Sequence, residues 1–244
     1  MTTLHLDVQA GATAPALLGA LVELGASIEA IERAVSTLGA GDVRLTVIGG
    51  RTATHIRVRA PQGAPDVDIW GQLRPRIALL ATDGTVADRA VAILDALFAA
   101  RAAVHQVQPQ DVDVDPLGGL DDLAEAVALA VAMDALAPTT VHAGPVGYGT
   151  GVLQTIEGPI TLPGPVVLAL LGDRPVRARS ISTEVVDPMG AAFLAAMAPN
   201  AGTHLEAGTD SLHESFPRPD GARIGRGQLP GARTDVVVAT LTAG

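Results

Sequence analysis

The sequence contains neither cysteine nor lysine, and only 2% of its residues are aromatic. The absence of cysteine excludes disulfides, a thiolate nucleophile and thiolate metal ligands. Without lysine, the chain can form neither a Schiff base nor the phosphate-binding lysine of a P-loop. With so few aromatic side chains, a core must be built mainly from Ala, Val and Leu.

Long apolar runs and a secretion signal are missing as well. No apolar run approaches the roughly 18 to 20 residues that a membrane-crossing helix needs. The N-terminal MTTLHLDV has no basic region followed by an apolar one. We therefore expect a cytoplasmic protein with no membrane partner.

The balance of charge is acidic. The formal net charge is −10, and all 16 basic residues are arginine. Nucleic-acid binding requires a basic face, so nucleic acid is not an expected partner. With 244 residues, 48% of them hydrophobic, the chain can bury a real core, and we predict a single domain over residues 1–244.

Hydrophobic spacing predicts strands and helices in an irregular order. The clearest signal is a β-hairpin in VRLTVIGGRTATHIRVRA, with its turn at Gly49-Gly50. Further strands are predicted at 4–8, 176–184 and 235–242. Helices are predicted at 15–25, 27–39, 69–81, 85–105, 120–136, from 165, and at 187–198. The predicted fold class is α+β (irregular α/β), a mixed sheet with a hairpin and helices packed around it, plus a long loop or arm at about 208–232.

One acidic stretch, QDVDVDPLGGLDDLAE (110–125), carries the strongest chemical signal. In an extended segment Asp113 and Asp115 point to one side, and on the following helix Asp121 and Glu125 lie one turn apart. Carboxylates grouped in this way can bind Mg²⁺, Mn²⁺ or Ca²⁺. Alternatively, the acids at the helix start only interact favourably with the helix dipole. The six histidines are scattered, and GYGTG (147–151) lacks the spacing of a phosphate-binding loop.

Five stretches taken in order carry a family resemblance. They are LHLDVQAGATAPALLGALVELGAS, FAARAAVHQVQPQDVDVDPLGGLDDLAE, GYGTGVLQTIEGPITLPGPVVLALL, STEVVDPMGAAFL and RPDGARI. Together they resemble the N-terminal domain of the nickel-insertion (cyclometallase) family over residues 4–224. That family places nickel in a pyridinium bisthiocarboxylate mononucleotide, which becomes the pincer cofactor of lactate racemase. Asp7, His105 and Glu184 stand where the family motifs have the same residue types.

The departures from the family motifs replace imidazoles with carboxylates. Asp113 and Asp115 stand where the family has histidine, and Glu157 replaces the histidine of its "HG" motif. Asp187 replaces a threonine. Because carboxylates suit hard ions, the expected divalent metal is Mg²⁺ or Mn²⁺ rather than Ni²⁺. The resemblance also implies a CTP-binding C-terminal domain, and we expect a stand-alone form without it.

We therefore predict a divergent member of the family, an enzyme of the lyase or cyclometallase type. It would use a divalent metal and act on a small anionic, heteroaromatic or nucleotide-like substrate. The predicted metal ligands are Asp7, Asp113, Asp115, Asp121 and Glu125. The predicted catalytic residues are His105, Glu157 and Glu184, and the predicted substrate-binding residues are Arg179 and Asp187. Two alternatives stay open: a metal-independent cyclase, lyase or isomerase of secondary metabolism, and a non-catalytic binding or scaffold protein. Assembly into a homo-oligomer also stays open.

Overall fold

The computed structural model describes residues 1–36, 44–49, 53–59, 69–80, 84–114, 119–155, 158–199, 221–230 and 236–243. The α-helices in these ranges are α1 (Ala14–Glu23), α2 (Ile28–Ser36), α3 (Trp70–Leu80), α4 (Gly84–His105), α5 (Gly119–Leu136), α6 (Pro165–Leu171) and α7 (Pro188–Met197). The strands are β1 (Thr2–Asp7), β2 (Arg44–Gly49), β3 (Thr54–Arg59), β4 (Thr140–Ala143), β5 (Val146–Gly149), β6 (Gly151–Thr155), β7 (Gly158–Leu162), β8 (Val176–Arg179), β9 (Arg223–Gln228) and β10 (Val236–Ala243).

Six of the strands form one mixed sheet in the order β2-β3-β9-β10-β1-β4. The β1–β4 and β3–β9 pairs are parallel, and the other pairs of this sheet are antiparallel. Two further pairs, β5–β8 and β6–β7, form small separate sheets. The architecture confirms the α+β class, and the β2–β3 pairing confirms the predicted hairpin.

Helix α1 packs very closely against β9 because β9 carries glycine where the helix backbone passes. A Cβ atom at Gly227 would lie 1.6 Å from the carbonyl oxygen of Ala16, and one at Gly225 would lie 2.0 Å from that of Ala20. These distances leave no room for a side chain. The short separation between α1 and β9 suits a core rich in alanine and leucine. Leu17 of α1 is one of these core residues and is fully buried.

Two predictions about irregular segments require correction. Residues 223–228 lie within the predicted arm at 208–232, yet they form β9 in the main sheet. The glycines that made this segment look like a loop are the ones that admit α1. The strand predicted at 176–184 ends at Arg179, because the Ile181 N–H donates to the Arg179 carbonyl at 2.7 Å and turns the chain. Residues 208–220 lie outside the described residues, and the single-domain organisation stays a prediction.

None of the described helices combines the length and the apolarity that crossing a membrane requires.

Candidate functional site

The N-termini of α1 and α7 meet at one carboxylate, that of Asp187. As the N-cap of α7, Asp187 accepts a hydrogen bond from the Gly190 N–H at 2.6 Å. Its two oxygens also lie 3.2 Å from the N–H of Ala14, the first residue of α1. Thr13 occupies the N-cap position of α1, but its hydroxyl makes no capping hydrogen bond. Asp187 therefore satisfies donors at the starts of two helices.

Three acids, Asp121, Asp122 and Glu125, occupy the first two turns of α5. Arg101 of α4 donates from Nη2 to Oδ2 of Asp122 at 2.7 Å. Acids at this position also interact favourably with the positive end of the helix dipole. Interaction with the helix dipole, the alternative to metal binding, therefore accounts for part of the charge in the acidic stretch.

The carboxylates of α5 and of the segment before α7 interact with one another. We call Asp121, Asp122, Glu125, Glu184 and Asp187 the carboxylate cluster. Burial raises the pKa of Glu125 well above its ordinary value, and repulsion from Asp187 and the two acids of α5 adds to the rise. Arg57 of β3 acts in the opposite direction on the pKa of Glu125.

Asp187 is under the same influences. Burial raises the pKa of Asp187 to about 7, although its two backbone hydrogen bonds favour the charged form. Repulsion from Glu184 and Asp122 contributes to the rise. Burial also raises the pKa of Glu184. The cluster can thus take up a proton near neutral pH, and a cation bound there would relieve the same repulsion.

The cluster does not form a closed metal cage. In the part of the chain that the structure describes, no three His, Asp or Glu side chains are arranged to hold one ion together. A divalent ion at the cluster would need further oxygen, nitrogen or sulfur donors from a substrate or from solvent.

Two of the five predicted metal ligands, Asp121 and Glu125, lie in the cluster. Asp7 lies at the end of β1, where its Oδ1 accepts from the Gln9 N–H at 3.1 Å and burial raises its pKa. Asp113 is exposed and forms an isolated bridge with Ile69. Asp115 lies outside the described residues. Among the residues described, no interaction joins Asp7 or Asp113 to the cluster, and the five-ligand set stays a prediction.

The predicted catalytic and substrate-binding residues are similarly divided. Glu184 and Asp187 are in the cluster, whereas Glu157 lies outside the described residues. His105 is the exposed last residue of α4. Arg179, at the end of β8, donates from Nη1 to the Ala10 carbonyl at 2.7 Å. This bond ties β8 to the loop that leads into α1.

Sequence reasoning did not assign Asp122, Arg57 or Arg101 to the site. The spacing of Asp122 and Glu125, three residues apart on a helix, could have placed both on one face. Arg57 and Arg101 carry no comparable signal, because β3 and α4 reach α5 only through the tertiary fold.

Comparison with known proteins matches the chain to one family. The family model described as "Nickel insertion protein" matches residues 4–223. A pyridinium-3,5-bisthiocarboxylic acid mononucleotide nickel insertion protein of Nocardioides sp. is 31% identical over 216 residues, which cover 87% of this chain and 55% of the relative. Relatives named as nickel insertion proteins in Geotalea daltonii and Thermomicrobium roseum are each 30% identical, over 84% and 81% of this chain and 54% and 50% of their own lengths. No solved structure matches.

The chain belongs to the nickel insertion protein family. This confirms the resemblance carried by the five motifs, which spans almost the same residues. The chain spans about half the length of the curated relatives that it matches.

Proposed function

We propose that the chain is an enzyme that takes part in metal insertion, and that it binds a divalent ion at the carboxylate cluster next to a small anionic substrate. The observation that carries this proposal is the convergence of α5 acids with Glu184 and Asp187 in a member of this family. Mutual repulsion among these partly buried carboxylates makes a cation the natural complement of the cluster.

The ligand types suggest how an ion could be passed on. Carboxylates hold Mg²⁺ or Mn²⁺ well, whereas sulfur donors favour softer ions such as nickel. The Nocardioides relative is named for a bisthiocarboxylic acid mononucleotide, whose thiocarboxylates would supply sulfur donors, and nickel is the ion in that name. Nickel is thus a substrate, and an open set of carboxylates would release it readily to such an acceptor.

Arginine side chains provide the positive charge that an anionic, heteroaromatic or nucleotide-like substrate requires. Arg57 and Arg101 interact with the cluster, and Arg179 is held beside the loop before α1. A guanidinium pairs with carboxylate or phosphate in a two-point geometry. Residues kept in the proposal as further ligands or proton carriers are Asp7, His105, Asp113, Asp115 and Glu157.

Metal titration tests the cluster directly. We expect Glu125→Gln to lower Mn²⁺ affinity by more than about tenfold, since loss of a direct ligand should exceed the usual cost of losing an outer-shell partner. Calorimetry with Mn²⁺, Mg²⁺ and Ni²⁺ in two buffers of different ionisation enthalpy would measure affinity and proton release. Protons should be released near pH 6.5, because the pKa of Asp187 is about 7 and a bound cation favours its charged form.

The matched control is Glu32→Gln, which removes one exposed acid from α2 and so changes the net charge equally. It should bind Mn²⁺ as the unaltered protein does. Equal Mn²⁺ affinity in Glu125→Gln and in the unaltered protein would show that Mn²⁺ does not bind at the carboxylate cluster. Mass spectrometry of the bisthiocarboxylic acid mononucleotide incubated with Ni²⁺ and the protein would detect insertion itself.

A second candidate is a metal-independent catalyst in which Asp187 exchanges a proton with the substrate. It is favoured by the pKa of Asp187, about 7, which suits general acid–base catalysis at neutral pH. Turnover of the same substrate that survives exhaustive EDTA treatment would support it over metal insertion.

A further inference from the structure

Two histidine rings stack on one another across neighbouring strands. His5 of β1 and His142 of β4 are register partners in the parallel β1–β4 pair. Their ring centroids are 5.4 Å apart, and the ring planes differ by 24°. Among the strands described, β4 is at the edge of the sheet, and both side chains are partly exposed.

The two rings lie on the sheet face opposite α1. Gly225 faces α1, since its missing Cβ would contact the Ala20 carbonyl. Gly225 pairs with Ala239, which pairs with Leu6, so Leu6 also faces α1. Side chains alternate along a strand, and His5, one residue earlier, points the other way. The pair is therefore separate from the helix starts that carry the carboxylate cluster.

The ring nitrogens of His5 and His142 do not contribute hydrogen bonds to the described part of the fold. Within the described ranges, neither imidazole makes a hydrogen bond or an ion pair. His55 of β3 differs, because its Nδ1 lies 3.1 Å from the Gln228 carbonyl oxygen in hydrogen-bonding contact. Burial, and then the adjacent His142, lower the pKa of His5, which favours its neutral form.

We propose that His5 and His142 form a two-histidine binding site for a borderline divalent transition-metal ion such as Ni²⁺. Imidazole suits nickel, copper and zinc, in contrast to the carboxylates of the cluster. Two nitrogens bound to one ion lie within about 4 Å of each other, since each metal–nitrogen bond is about 2.1 Å. The last torsion of a histidine side chain is broad, so ring rotation can bring the nitrogens of this pair to that distance.

The choice of nickel over copper and zinc rests on the proposed function. The two-histidine site itself rests on the positions of His5 and His142 alone. With only two protein ligands, the remaining coordination positions would be filled by water or by the donors of a substrate. Such a site would bind nickel at the edge of the sheet, separately from the carboxylate cluster.

Calorimetric titration of the untagged protein with Ni²⁺ alone tests the site. We expect His5→Gln and His142→Gln each to weaken Ni²⁺ binding by more than about tenfold, and the double variant to lose one bound equivalent. His55→Gln is the matched control and should leave Ni²⁺ affinity unchanged. Excess Mg²⁺ should not displace the ion.

A measurement on the unaltered protein guards against misfolded variants. In imidazole NMR spectra, substoichiometric Ni²⁺ should broaden the His5 and His142 ring signals first and that of His55 least. Unchanged affinity and stoichiometry in the double variant, or equal broadening of all histidines, would overturn the proposal. Glu125→Gln separates the two proposals: it should weaken Mn²⁺ binding and leave the Ni²⁺ equivalent at the histidines intact.

Discussion

The Gly227→Ala variant is expected to lose about 3 kcal/mol or more of its free energy of unfolding, at the upper end of the usual cost of overpacking. The added Cβ would lie 1.6 Å from the Ala16 carbonyl oxygen and 2.4 Å from its carbon. Both atoms belong to backbone, so no side chain can rotate away, and α1 must move off β9. Urea unfolding followed by circular dichroism would measure the loss.

Gly84→Ala is the matched control for this substitution. Gly84 begins α4, and a Cβ there would meet nothing within 4 Å. Because alanine favours helix over glycine, we expect this variant to be unchanged or more stable by up to about 1 kcal/mol. Similar stabilities for the two variants would show that α1 and β9 are not packed as closely as the Cβ distances at Gly227 indicate.

The Asp187→Ala variant is expected to lose about 2–4 kcal/mol of unfolding free energy. The N–H groups of Ala14 and Gly190 would both lose their acceptor, and a buried donor without a partner costs about 1–3 kcal/mol. Asp187→Asn keeps one carbonyl oxygen as acceptor and should lose less. Equal stability of the Ala variant and the unaltered protein would contradict the shared cap.

The raised pKa of Asp187 should also make the free energy of unfolding depend on pH, which urea unfolding at several pH values would measure. The pKa of Asp187 rises from 3.8 to about 7 on folding, so the folded state holds the proton more tightly than the unfolded chain. This contribution is fully present below pH 4 and is lost as pH rises towards 7. A shift of about 3 units corresponds to about 4 kcal/mol. Asp187→Asn should lack this part of the pH dependence between pH 4.5 and 8, while Asp173→Asn, at an exposed acid, should keep it.

Sequence patterns predicted the strands and helices in which hydrophobic residues recur with the period of that element, two for a strand and 3.6 for a helix. The hairpin followed from the alternation on both sides of Gly49-Gly50, and the acids of α5 were found together because they are neighbours in sequence. Strand β9 was missed, since glycines at 225 and 227 lower β-propensity and only the approach of α1 explains them. Glu184 and Asp187 came from the family resemblance, whereas Arg57 joins Glu125 only once β3 and α5 have packed.

The position of β9 also constrains how the chain can assemble. The hairpin β2–β3 is joined to the rest of the sheet through β9, and one side of β1 is paired only with β10. Both partners follow every helix described in chain order, so β3 keeps an open edge until β9 has been synthesised, and β1 keeps one until β10 has been. Ribosome-bound fragments that end before Arg223 should therefore hold two pairs of the main sheet, β2–β3 and β1–β4, with no strand between them, and should depend on chaperones until β9 and β10 have been synthesised.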